Sequence, residues 1–113
     1  MLRADAIKVS ANVNRRIAYI TEKTKEYHSP IAEKLRDRII ASLRENERLC
    51  YAICDAFDNV DKANSEAKAA ATERLLQVAE SYTKAQARYT KVEQDYTNYA
   101  IEHGALLIVS GLD

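Results

Sequence analysis

Residues 31–103 contain neither proline nor glycine. The only proline, Pro30, stands just before this stretch, and the only glycines, Gly104 and Gly111, stand after it. Strands and tight turns need Gly, Pro or Asn-Gly punctuation, so a β-sandwich, a barrel or a doubly wound fold is excluded. With 113 residues, the chain is one small domain, residues 1–113, of the all-α class.

A first helix is predicted over 3–27. Leu2, Ala6, Val9, Val13, Ile17 and Ile20 lie in steps of three and four, with Tyr27 seven further on, and most of them share one stripe; Arg15 and Arg16 are expected to face largely away from it. The helix must stop before His28-Ser29-Pro30, because the residue preceding a proline disfavours helical torsions. Ser29 can cap a second helix, with Pro30 at its favoured first position.

From Pro30 onward one stripe runs through Leu35, Ile39, Leu43, Asn46, Cys50, Ile53, Phe57, Val60, Asn64, Ala67, Ala71, Leu75, Val78, Tyr82, Ala85, Tyr89, Val92, Tyr96 and Tyr99. As one helix, residues 30–103 would extend about 110 Å at 1.5 Å per residue. They would then need a second copy to cover the stripe. As two helices they turn near Asp58–Ser65, the segment richest in Asp, Asn and Ser, residues that compete with the helical backbone and cap new helices. Burial of the stripe within one chain favours the turn, with Asn64 or Ser65 as the cap. The expected architecture is therefore an elongated three-helix bundle of antiparallel, coiled-coil-like hairpins: helices 3–27, 30–61 and 65–103, then an apolar tail 104–113. The alternative is a hairpin with one continuous helix 30–103, dimeric.

The third helix holds the chain's internal repeat. Tyr-Thr-Lys begins at Tyr82 and again at Tyr89, and Tyr-Thr-Asn at Tyr96, with Ala85, Val92 and Tyr99 at the alternate seam position. A tyrosine seam packs a bundle only if its hydroxyls find partners. The other role for Tyr82, Tyr89, Val92, Tyr96 and Tyr99 is recognition of a protein partner, since tyrosine is enriched at binding hot spots. The tail residues Leu106, Leu107, Ile108 and Val109 form a second candidate contact, or cover one end of the bundle.

Charge argues against nucleic acid. The chain has 17 basic and 17 acidic residues, balanced along its length, and no basic face dense enough to release many counterions. Membrane contact is not expected: no apolar run approaches the roughly 18–20 residues of a bilayer span. Cys50 and Cys54 sit one helical turn apart, where a disulfide is distorted, so they are expected as reduced core thiols in a cytoplasmic protein. Secretion without a signal peptide is the alternative. His28 and His103 are far from both cysteines in sequence, no metal-ligand pair or Gly-rich phosphate loop occurs, and no nucleophile has a base nearby. No enzyme activity, cofactor or metal is expected.

Tyr51-x3-Asp55, Phe57-x3-Asp61 and Tyr89-x3-Glu93 fit an aromatic-x3-acid pattern. Together with the small helical-hairpin architecture, this resembles the WXG100-type secretion substrates and their helical partners. The Trp-x-Gly turn of those proteins is absent, as the chain has no tryptophan. Cys50-x3-Cys54 is similar to one half of the twin motif of small mitochondrial intermembrane chaperones, without the second half. The residues point to a non-enzymatic protein-interaction module: a helical subunit, adaptor or scaffold that meets its partner, itself or another protein, through the tyrosine seam and the tail. A secretion substrate or adaptor of WXG100 type and a peripheral membrane-surface protein are the alternatives.

Overall fold

The structure, a computed structural model, describes residues 3–25 and 30–102. It contains three helices: α1 (Arg3–Thr24), α2 (Pro30–Lys62) and α3 (Lys68–Glu102). They pack as an elongated bundle of 59 × 22 × 19 Å. The continuous helix over 30–103 does not form. The chain turns where Asp, Asn and Ser are densest.

The turn is built from its own side chains. At the end of α2 the Ala63 N–H bonds the Val60 carbonyl at 3.3 Å, tightening the last turn. Asn64 then caps α3. Its Oδ1 accepts the Ala67 N–H at 2.9 Å, and its carbonyl accepts the Lys68 N–H at 3.0 Å. The regular part of α3 begins at Lys68, three residues later than expected, because 65–67 form the capped first turn. Glu33 in the first turn of α2 and Lys62 in its last turn both complement the helix dipole. α1 ends at Thr24, with Lys25 in a turn; residues 26–29 and the tail 104–113 lie outside the described residues.

Side-chain pairs fix the register. Arg3 reaches Asp55 at 2.7 Å, the Ser10 hydroxyl donates to Glu47 at 2.6 Å, and Arg44 donates to Asn14 at 2.9 Å, so α1 runs antiparallel to α2. Arg38 meets Asp95 at 3.8 Å and Cys50 meets Tyr82, so α2 runs antiparallel to α3. α1 and α3 are therefore parallel, as Arg16–Tyr89 and Thr24–Tyr96 contacts require.

The main core joins Val13, Ile20, Ile39, Leu43, Tyr89, Tyr96 and Ala100. A second cluster joins Ala6, Cys50 and Cys54. Helix α2 is the middle element, with α1 on one flank and α3 on the other. Its buried arc is accordingly wider than a single stripe and takes in Ala32, Leu49, Cys54 and Ala56. Phe57 departs from the stripe reading in the other direction. It is 41% exposed, although it stands between Asp55 and Asp58, both paired with Arg3 of α1.

Candidate functional site

The tyrosine seam of α3 faces the other two helices. Tyr96 is 1% exposed and Tyr89 is 9% exposed, while Tyr82, Val92 and Tyr99 are half-buried. Each of the three repeat tyrosines has a hydroxyl partner in the bundle. Tyr82 packs against the Cys50 cluster on α2, with the thiol as its hydroxyl's neighbour. Arg16 on α1 donates to the Tyr89 oxygen at 3.2 Å, with its guanidinium 5.9 Å from the ring centre. Tyr96 lies 2.9 Å from the Thr24 hydroxyl. The heptad spacing thus brings three aromatic rings to one face of α3. In this bundle Tyr89 and Tyr96 meet α1 and α2 rather than solvent.

The environment shifts the phenols. Burial pushes Tyr82 up to about 12, aided by its bond to Cys50. Burial also pushes Tyr89 up to about 12; the Glu93 carboxylate adds to the rise and Arg16 opposes it. Arg16, the Tyr89 hydroxyl and Glu93 form a short polar relay across the α1–α3 seam. The Cys50 thiol is raised as well, first by burial. Both cysteines are free and buried.

Arg16 corrects the sequence-based expectation. Periodicity alone puts it largely away from the apolar stripe of the first helix, yet it is half-buried over Tyr89. The signal was present: Arg16 lies three residues after Val13 and four before Ile20, both buried. A long side chain can lie along an apolar seam while its head finds polar company. Thr24 was also missed as a core residue, for the same reason of polarity.

Between the three helices the structure leaves a groove of about 400 Å³. Val13 and Arg16 of α1, Leu43 and Asn46 of α2, and Tyr82 and Tyr89 of α3 contribute to its walls. Arg16 is the one charged residue among those lining it. Asn46 interrupts the apolar line of α2, and its side-chain oxygen is buried with no hydrogen-bond partner.

A second feature lies beside the first described turn of α1. Phe57 is seven residues beyond Cys50, and Leu75 is seven before Tyr82. Cys50 and Tyr82 touch, so heptad spacing puts Phe57 and Leu75 two turns further along α2 and α3. The tail residues Leu106, Leu107, Ile108 and Val109 lie outside the described residues.

Among the described residues no group of three or more His, Cys, Asp or Glu side chains is placed to hold a metal ion. No described helix is long and apolar enough to cross a membrane. Comparison with protein-family models, with curated proteins and with solved structures gives no match to this chain.

Proposed function

We propose that the protein is a non-enzymatic protein–protein interaction module, a helical subunit, adaptor or scaffold of a larger assembly. The observation that carries this reading is the exposed aromatic ring of Phe57. The apolar seam of the α2–α3 hairpin continues through Phe57 and Leu75, and Phe57 remains 41% exposed. A seam position left open at the end of a rigid hairpin suits a partner helix laid against it. The exposed edges of Tyr82, Val92 and Tyr99 and the tail residues Leu106–Val109 extend the candidate contact surface. The buried rings of Tyr89 and Tyr96 hold the hairpin to α1 and serve recognition only indirectly, by keeping the frame rigid.

Site-specific photocrosslinking tests the reading. A benzophenone side chain is placed at Phe57, and in a second variant at Lys84, which is exposed on the outer face of α3. In cells of the source organism a discrete adduct from position 57, absent from position 84, supports the proposal. A chain of monomer mass with no adduct at either position overturns it.

A further inference from the structure

The groove between the helices carries an inference independent of any protein partner. We propose that it binds a small carboxylate that also bears a hydrogen-bond donor, with Arg16 taking the carboxylate and the Asn46 side-chain oxygen taking the donor.

Three observations support this. First, the size is right: about 400 Å³ lies within the range of small-molecule sites. Second, the polar groups are specific in kind. Arg16 supplies the only formal charge on the lining, and the Tyr89 hydroxyl together with the face of its ring holds the guanidinium in place. The planar fork of a guanidinium matches the two oxygens of a carboxylate. The Asn46 oxygen is buried and unsatisfied, and such a group is ordinarily satisfied by a bound molecule or by ordered water. The remaining wall offers Val13, Leu43 and the tyrosine rings to an apolar body.

Third, the register sets the two residues about one helical turn apart along the groove that both line. Asn14 pairs with Arg44, so Arg16 lies level with position 42 of α2. Asn46 is four residues further on, an axial offset of about 6 Å at 1.5 Å per residue. A para-substituted benzene ring separates two polar substituents by about that span. A hydroxylated aromatic carboxylate therefore fits the groove lengthwise, with its ring against Val13, Leu43 and Tyr82.

The test uses 4-hydroxybenzoate as the probe, with benzoate and phenol as controls, in an NMR titration of the full chain. The Arg16 Nε–H and the Asn46 side-chain amide are the reporters. 4-Hydroxybenzoate is expected to shift both saturably. Phenol, lacking the carboxylate, is expected to bind at least roughly tenfold more weakly, since one charge-assisted hydrogen bond corresponds to about a factor of ten or more. Arg16→Gln is expected to abolish the preference for 4-hydroxybenzoate over phenol. Asn46→Leu is expected to abolish its preference over benzoate. If 4-hydroxybenzoate produces no saturable shift, or binds no better than phenol to the wild-type chain, the groove holds water only and the proposal is wrong. The comparison of the three probes on the wild-type protein decides this even if a variant fails to fold.

Discussion

The hydroxyls of Thr24 and Tyr96 lie 2.9 Å apart in a part of the core where Thr24 is 2% and Tyr96 1% exposed. The Thr24 hydroxyl donates its one hydrogen to the Ile20 carbonyl at 2.6 Å. Tyr96 must therefore be the donor between the two, and a directed chain runs from Tyr96 through Thr24 to the α1 backbone. This is how a tyrosine seam becomes a core: the ring fills the volume, and the hydroxyl is answered by a polar residue on the neighbouring helix.

Breaking that chain should destabilise the fold by an amount that depends on which half is left. Tyr96→Phe removes the donor and leaves a Thr24 lone pair buried, at a cost of about 1–2 kcal/mol. Thr24→Val removes the acceptor that Tyr96 meets on α1 and costs a similar amount. The double variant should lose clearly less than the sum of the two, because both partners are gone together. Urea unfolding of the four proteins gives the coupling directly. Strict additivity would mean that the two hydroxyls do not interact.

The α2–α3 turn rests on one cap. Asn64 Oδ1 accepts the Ala67 N–H at 2.9 Å, and no glycine or proline assists it. Asn64→Ala should lower stability by about 1 kcal/mol, whereas Asn64→Asp or Asn64→Ser should retain most of it. The fold itself should survive in all three, with an unchanged solution mass, because the hairpin is held along its whole seam. Conversion of Asn64→Ala into an extended dimer would instead show that the cap selects the hairpin.

Alkaline pH should weaken the bundle through Tyr82 and Tyr89. Both phenols are raised from the ordinary value of 10 to about 12. Between these values the unfolded chain gives up the two protons before the folded chain does. Stability is therefore fully present below pH 10 and falls as pH rises towards 12. Lysines also lose charge in this range, so the tyrosine contribution is isolated by difference. The pH dependence of urea unfolding should be shallower in Tyr82→Phe and Tyr89→Phe than in the wild type, and absorbance titration of each variant should lose amplitude near pH 12. Identical slopes in all three proteins would contradict the assignment.

Much of this architecture is legible in the residues. The break at Ser29-Pro30, the Asp- and Asn-rich segment before Asn64, and the tyrosine heptads place three helices and the face along which α3 packs. Periodicity identifies a face, but it does not say what lies opposite. A single stripe on α2 could not reveal that α1 and α3 flank it on two sides and bury Leu49 and Ala56 as well. Nor could it reveal that Phe57 stays 41% exposed between two aspartates that pair with Arg3 of α1. Arg16 and Thr24 were hidden by their polarity: their seam positions become plain only once Tyr89 and Tyr96 are seen to need hydrogen-bond partners. The groove is a property of three helices at once and has no signature in any one of them.

The two cysteines should behave as inert core residues. Both are buried, and burial raises the Cys50 thiol away from its reactive thiolate form. Alkylation by N-ethylmaleimide at neutral pH should be slow in the native protein and fast in denaturant, with the native rate following the opening of the fold. Cys50→Ser should destabilise by about 1–3 kcal/mol by placing a more demanding hydroxyl in the Ala6–Cys54 cluster. Rapid labelling of the native chain would place at least one thiol on the surface.

Asn46 offers the opposite sign. It stands between Leu43 and Cys50 on the core line of α2, half-buried, with its side-chain oxygen desolvated and unpartnered. A side chain optimised only for stability would be apolar here. Asn46→Leu is of nearly equal volume and removes the unsatisfied acceptor, so it should raise stability by about 1–2 kcal/mol in urea unfolding. The gain would show that Asn46 is retained at the expense of stability, as expected of a residue kept for binding in the groove or for setting the register of the helices. A loss of stability would mean instead that ordered water satisfies Asn46 in solution and that the amide is part of the structural core.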